Sequence, residues 1–310
     1  MGEPALEYPI FDISDEAPGL ATSEEALGTK PKFWFRRSDD TEWLFKFARP
    51  NTGEDWAERI ATEIAAKIGL PHAVVELAEY HNKRGIITKN FAEEGVSLIH
   101  GNQLLFEASS DYPIETFRNV RQHTVEAILG VLSDIAIPMS APAGMDDAGD
   151  MFLGYLLLDA LIGNTDRHHE NWGILSHFAE VGDAIYVLAP TYDHASSLGR
   201  ELSNDARERK YMRRNHGYDV DKYLNKCRSA IFADVNDEVP LSPIGAFERL
   251  ARLRPAAAAA WLDRLGDLEC SELNESIGRV PCAIMSECAK SFARTLLART
   301  RLLLLETGHD

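Results

Sequence analysis

Cysteine is scarce and scattered in this chain. Cys227, Cys270, Cys282 and Cys288 all fall in the last third and form no C-x-x-C pair. That spacing argues against a zinc site and against a disulfide framework, and free thiols in a reducing compartment are the expectation. The opening MGEPALEYPI lacks both a basic n-region and an apolar h-region, so it does not read as a secretory signal. Leu6 stands where myristoylation wants Ser or Thr. The longest apolar runs, residues 151–163 and LLARTRLLLL, are too short or too charged to span a bilayer. A cytoplasmic protein with no membrane span is expected. Delivery into a host cell as an effector stays open. Positive charge is also short: 32 Lys plus Arg face 49 Asp plus Glu, for a net charge of -17. Such a balance disfavours broad binding to nucleic acid or to anionic membranes. It leaves room for a small anion held by a local cluster of cations.

The 310 residues, 45% hydrophobic and 26% charged, suffice for one large domain or for two lobes around a cleft. Residues 1–27 are acidic and carry Pro4, Pro9, Pro18 and Gly19, and are expected to be loosely ordered. KFWFRR and EWLFKFA alternate around SDDT, the pattern of a β-hairpin. From Glu54 the period changes. Ala57, Ile60, Ala61, Ile64, Ala65 and Ile68 lie on one helical face, with Thr52 and Asp55 spaced as a capping box and Gly69-Leu70-Pro71 as the stop. AVVELAEY, a turn at HNKRG and IITKN predict a second hairpin. Beyond about residue 92 the pattern is mainly helical, with helices expected at 116–135, 148–163, 219–230, 243–254, 255–266 and 283–306. Two short strands, NWGIL and AIYVLA, interrupt them. A small β-rich lobe followed by a larger helical lobe is a plan for a nucleotide-binding cleft.

The most informative stretch is NTDRHHEN (164–171), directly behind the apolar run MFLGYLLLDALIG. A phosphoryl-transfer site needs a cation on the phosphates, an acid to hold that cation, two hard oxygen ligands for Mg²⁺ and an acid at the acceptor hydroxyl. Asp166, at the end of a buried helix, can accept the hydroxyl proton. Asn171, five residues on, can offer a carbonyl oxygen to the metal, and Asp193 in LAPTYDHASSLG adds a charged ligand. Arg167 and His168 would brace the loop. A metal site on His168 and His169 is disfavoured, because adjacent histidines diverge and no H-E-x-x-H spacing exists. Lys46 in WLFKFA is the phosphate cation, with Glu58 on the next helix as its partner. The alternative places Lys46 on the solvated face of the hairpin. GTKPK (28–32) reads either as an ordinary turn or as a phosphate-approaching loop. It is not a Walker A motif, which needs G-x-x-x-x-G-K-[ST].

In this order GTKPK, LFKFA, WAERIATEIAAKIGLPHAVVEL, LDALIGNTDRHHENWGIL and LAPTYDHASSLG resemble the HipA-like serine/threonine kinases. The resemblance covers roughly residues 26–200 and points to short members without the N-terminal subdomain. It implies an α+β, bilobal protein-kinase-like fold, with a β-rich N-lobe over 1–92 and a helical C-lobe over 93–310. It implies ATP and Mg²⁺ as cofactors. Gly28, Thr29, Lys30 and Lys32 would form the phosphate loop, and Lys46 would bind phosphate with Glu58 as helix partner. Thr88, Lys89, Asn90 and Phe91 would form the adenine hinge, and His168 would be a further nucleotide-side residue. Asp166 would be the base, and Asn171 and Asp193 the metal ligands.

The resemblance also implies a protein substrate, by family analogy an aminoacyl-tRNA synthetase, and a toxin or effector role with an antitoxin partner and no direct nucleic-acid contact. Autophosphorylation at Thr29, Ser23 or Thr22 would follow the family habit. Glu170 departs from the family pattern N-x-D-x-H-x-K-N, which has lysine there. D-R-H-x-x-N also matches phosphatidylinositol kinases, making a lipid kinase the alternative. Glu170 further motivates a catalytically weak pseudokinase that acts as a binding module.

Overall fold

The computed structural model describes residues 6–17, 31–92, 94–177, 184–213 and 217–307. Its first sheet is built from β1 (Ile10–Asp12), β2 (Lys32–Arg36), β3 (Glu42–Phe47), β4 (Val75–Tyr80) and β5 (Lys83–Lys89), in the order β1-β4-β5-β3-β2. The two hairpins are antiparallel as their alternation predicts, and β1 adds parallel to β4. Between the hairpins lies α1 (Glu54–Lys67). Its stop is a Schellman motif: Gly69, at φ +73°, donates to Ala66 O, and Leu70 donates to Ala65 O. Its start differs from expectation. Gly53 occupies the N-cap without a side-chain cap, and Thr52 Oγ1 donates to Arg49 O. The second turn is also tighter than HNKRG suggests. His81 and Asn82, both at positive φ, form a two-residue turn that suits the strand twist, and strand resumes at Lys83.

Register sorts the sheet into two faces. Phe33, Phe45 and Ile87 pair across the strands on one face, in an aromatic cluster with Phe35, Trp43 and Tyr80. Lys32, Lys46, Ile86 and Leu77 pair across the other. Gly85 lets the strands close up, since a Cβ there would sit 2.3 Å from Lys46 O.

The remainder is mainly helical. β6 (Val96–His100) leads into α2 (Gly101–Ala108), followed by α3 (Val125–Leu132) and α4 (Ala148–Ile162). β7 (Gly173–His177) and β8 (Ile185–Leu188) pair with β6 as a three-stranded antiparallel sheet. Then come α5 (Asn204–Tyr211), the short pair β9 (Met212–Arg213) and β10 (Gly217–Tyr218), and α6 (Val220–Leu224). The end of the chain forms α7 (Pro243–Leu253), α8 (Pro255–Asp267), α9 (Cys270–Gly278) and α10 (Glu287–Thr307). The helix expected over 116–135 begins only at Val125, where the Thr124 hydroxyl accepts from Ala127 N as N-cap. The one expected over 219–230 stops at Leu224. Strand β6 and helices α2, α5 and α9 were not expected. Every residue of α4 is buried, as a helix apolar on all sides requires. Among the described residues no helix is long and apolar enough to cross a membrane.

The amino-terminal stretch corrects the expectation of loose order. Tyr8, Ile13 and Ala17 are at most 1% exposed, and Tyr8 N donates to Arg279 O. The Tyr8 ring lies between two guanidiniums, 4.0 Å from Arg59 on α1 and 4.4 Å from Arg279 after α9. Glu63 pairs with both arginines. Residues 6–17 therefore strap the sheet-rich part to the helical part. Tyr8→Ala should cost about 3 kcal/mol of unfolding free energy in urea, the usual loss for truncating a buried aromatic. A loss below about 0.5 kcal/mol would show that the strap carries no stability.

Candidate active site

The apolar helix α4 carries one acid in its second half, Asp159, 2% exposed. A buried carboxylate demands partners, and the chain supplies Arg167 eight residues later. Arg167 is fully buried and binds Asp159 in bidentate fashion, Nε to Oδ2 at 2.7 Å and Nη2 to Oδ1 at 2.8 Å. Burial works against the arginine's charge, yet the carboxylate beside it holds its pKa above the ordinary value. Its remaining protons go to Asn171 O, Tyr192 O and Thr191 Oγ1. One guanidinium thus ties α4, the loop 164–171 and the segment after β8 together.

The loop is further fixed from within. Gly163 closes α4 in the left-handed conformation at φ +64°. Asn164 Nδ2 donates to Asp159 Oδ1, and Asn164 Oδ1 accepts from Asp166 N. Asn171 Nδ2 donates to Asp166 O at 2.7 Å, which leaves Asn171 Oδ1 as the atom able to face a cation. Asp166 is exposed, and its Oδ2 accepts from Ser196 Oγ at 3.3 Å. Asp193, at φ +62°, places Oδ2 3.2 Å from Lys46 Nζ. The face of β3 that bears Lys46 is therefore turned toward the segment after β8 that carries Asp193, and Lys46 does not sit on a solvated face.

Glu58 departs from its expected pairing. It is buried on α1, and its Oε1 is 3.3 Å from His194 Nδ1, while the ion pair of Lys46 is with Asp193. His194 Nε2 is 2.8 Å from Thr191 Oγ1. Thr191 Oγ1 also accepts from Arg167 Nη2, so this hydroxyl links the guanidinium to the imidazole. A chain of polar contacts thus runs from Arg167 in the loop 164–171 to Glu58 on α1. Glu58 Oε2 is buried and makes no hydrogen bond in the structure.

The hinge residues separate. Thr88 and Lys89 belong to β5, which is bonded on both sides by β3 and β4. Lys89 N donates to Val74 O and Asn90 N to Glu42 O, so these two amides are already taken. Lys89 lies across from Trp43 and its side chain is exposed. Thr88 is buried on the same face as Lys46, and Phe91 stacks on Tyr192 with centroids 5.5 Å apart. Ala73, Val75, Ile86 and Tyr192 form an apolar patch there with Phe91 and Leu98. His168 accepts from Glu170 N, a loop contact. Of the phosphate loop only Lys32 is described, directly opposite Lys46; Gly28, Thr29 and Lys30 lie outside the described residues, as do Thr22 and Ser23. The Glu170 carboxylate accepts from Asn102 Nδ2, and burial raises its pKa against the opposing charges of His168 and Lys32.

Sequence reasoning missed Asp159, Thr191, His194, Ser196 and Arg200. Asp159 carried a usable signal, an acid inside an otherwise apolar helix. The rest sit in TYDHASSLGR, where nothing in the spacing distinguishes a structural polar group from a functional one.

A small sheet-rich part and a larger helical part, with these groups converging between them, define a bilobal protein-kinase-like fold. Residues 25–261 match the family model of the HipA-like C-terminal domain, and the chain belongs to that family. The fold is shared with the Helicobacter pylori proinflammatory kinase CtkA, at 20% identity and a TM-score of 0.73 over 97% of both chains. It is also shared with HipA of Shewanella oneidensis MR-1, solved with HipB and its operator DNA. That match has 16% identity and a TM-score of 0.56, covering 92% of this chain and 64% of that one. No curated protein matches by sequence.

Two buried histidines near the loop set an acid limit. His123 accepts from Trp172 Nε1 and is held neutral by burial, with its pKa lowered to about 3. His169 bonds to Tyr112 and is lowered to about 4, by burial and then by His168. Both folded values lie below the unfolded value near 6.5. The unfolded chain therefore binds more protons below about pH 6.5, and stability falls with pH from there toward the folded values. Each histidine should steepen the decline by up to about 1.4 kcal/mol per pH unit, read by urea unfolding at several pH values. A flat profile between pH 6.5 and 4.5 would contradict neutral burial. Arg167→Met, which strands the Asp159 carboxylate, should cost about 3–5 kcal/mol in the same assay at neutral pH.

Proposed function

We propose that this chain is an ATP- and Mg²⁺-dependent serine/threonine protein kinase. The observation that carries the reading is the convergence of Lys46, Asp193, Asn171 and Asp166. The lysine–aspartate contact spans 3.2 Å, and the asparagine amide is locked onto the backbone of the aspartate that faces solvent. In this reading Asp166 holds the acceptor hydroxyl and takes its proton. Lys46, with Lys32 beside it, meets the phosphate charge. The apolar patch of Val75, Ile86 and Tyr192 receives the base. One oxygen each from Asn171 and Asp193 suits Mg²⁺, which keeps waters and takes few protein ligands. When bound there, the metal would neutralise charge at the transferred phosphoryl group. Glu170 adds an acid where relatives carry lysine, and Lys32 supplies a positive charge acting on the same place.

A protein acceptor is favoured over a lipid one because the chain is strongly acidic, which opposes approach to an anionic membrane surface. The likeness to a HipA solved with HipB supports an antitoxin-type protein partner. Asp166→Asn and Asp193→Asn should fold normally by circular dichroism. Each should lower transfer of the labelled γ-phosphate by at least about 10²-fold. Transfer at the wild-type rate by both variants would overturn the reading. Heat stabilisation by Mg-ATP without turnover on any acceptor would favour a binding module.

A further inference from the structure

Arg207 is buried without the kind of partner that Arg167 has. It is 3% exposed on α5, yet its bonds go to neutral acceptors, Nη1 to Asn204 Oδ1 at 3.2 Å and Nη2 to Gly199 O at 2.9 Å. Among the described residues no carboxylate pairs with it, and its Nε is buried with no hydrogen bond. Burial pulls its pKa below the ordinary value, and of the opposing groups Cys288 acts on it most strongly. A guanidinium in this state lacks an anion. Cys288 is the group placed to supply one. It stands in the first turn of the 21-residue α10, where unpaired backbone N–H groups favour negative charge. Its Sγ lies 3.1 Å from the Tyr218 hydroxyl and 3.8 Å from the carbonyl oxygen of Asn204. Ser286 Oγ, just before the helix, donates to the same Asn204 Oδ1 that accepts from Arg207. The start of α5 and the start of α10 are thus held together at Cys288. This cysteine is half-buried, whereas Cys270 and Cys282 are exposed and Cys227 is buried, its thiol pushed up to about 12 by burial.

We propose, independently of the kinase reading above, that Cys288 is a modification site that takes one oxygen from a hydroperoxide, giving a sulfenate held by Arg207 and the Tyr218 hydroxyl. In the step, the Cys288 sulfur attacks the hydroxyl oxygen of the hydroperoxide. An S–O bond forms as the O–O bond breaks. The other oxygen takes up the thiol proton and leaves as an alcohol, or as water when the oxidant is hydrogen peroxide. Sulfur is oxidised by two electrons and the peroxide is reduced by two. The proton of the sulfenic acid passes to solvent. The new oxygen gives Arg207 Nε the anionic acceptor it lacks. Because Arg207 also holds Gly199 O, the modified sulfur is coupled to the segment after β8.

The test exposes the reduced full chain to hydrogen peroxide or to tert-butyl hydroperoxide and traps sulfenic acid with dimedone. Peptide mapping then assigns the label among Cys227, Cys270, Cys282 and Cys288. Cys288 should be labelled first, about tenfold faster than Cys270 or Cys282, although those two are the more exposed. Dithiothreitol added before the trap should remove the signal. Arg207→Gln should slow labelling of Cys288 about tenfold and Tyr218→Phe about threefold, each measured against Cys270 in the same sample. Tyr218→Phe keeps the ring that packs on Phe292, so it tests the site even where Arg207→Gln fails to fold. Faster labelling of Cys270 or Cys282 would show that exposure alone governs oxidation and would overturn the proposal. So would labelling of Cys288 at the wild-type rate in Tyr218→Phe. Passage of Cys288 straight to sulfinic acid, with no stage that dimedone traps, would overturn the held sulfenate.

Discussion

Arg167 is the group around which the candidate site is organised. A guanidinium with no solvent contact is tolerable only when its charge and its protons are all matched. Asp159 matches the charge, and the carbonyls of Asn171 and Tyr192 with the Thr191 hydroxyl take the remaining protons. The pair need not add net stability for it to matter. Its geometric consequence is that three segments distant in sequence, 159, 164–171 and 191–193, can meet in only one way. The two candidate carboxylates of the site are then left outside the buried frame. Asp166 is exposed, and Asp193 is partly so at a positive φ.

The frame extends into the sheet-rich part through polar contacts rather than apolar packing. Thr191 and His194 carry it to Glu58, and the backbone of Thr191 bonds to Pro71 and Ala73 at the end of the α1–β4 connection. Glu58 is thereby occupied by an imidazole on one oxygen, while its second oxygen has no hydrogen bond. A buried carboxylate oxygen without a donor is costly. It marks α1 as the element with most to gain from a cation. Lys46 is the neighbouring cation on the cleft face, and in this structure Asp193 holds it.

Much of this was legible in the chain. The hairpins follow from strict alternation, α1 from its stripe and Schellman stop, and α4 from an unbroken apolar run. Each is a short-range pattern with a physical period. The strap at residues 6–17 was not legible, because its order comes from Arg59 and Arg279, contacts no local pattern encodes. Lys46, Asp166, Asn171 and Asp193 could be picked out by residue type and by their order along the chain. Their partners could not be assigned from sequence. The Lys46–Glu58 pairing failed because His194, an unremarked neighbour of Asp193, reaches Glu58 first. Nothing in IITKN shows that β5 is bonded along both edges, or that Lys89 N and Asn90 N already have backbone partners.

Local charge explains how so acidic a chain can still offer a site to an anion. Lys32 and Lys46 stand directly opposite each other on adjacent strands, an arrangement that like charges disfavour. Nothing in strand propensity asks for it, since lysine is depleted in strands. The cost is bearable where negative charge faces the pair. Asp193 supplies part of it at 3.2 Å from Lys46, and the field of Glu170 reaches Lys32. Phosphates entering the cleft would meet the same two ammonium groups and compete with those carboxylates for them. Bulk repulsion from the acidic surface is screened beyond roughly 8–10 Å at physiological salt, whereas this pair acts at contact. A net charge of -17 and a local site for an anion are thus compatible, and the acids that hold the lysines beforehand set how strongly phosphate must bind to displace them.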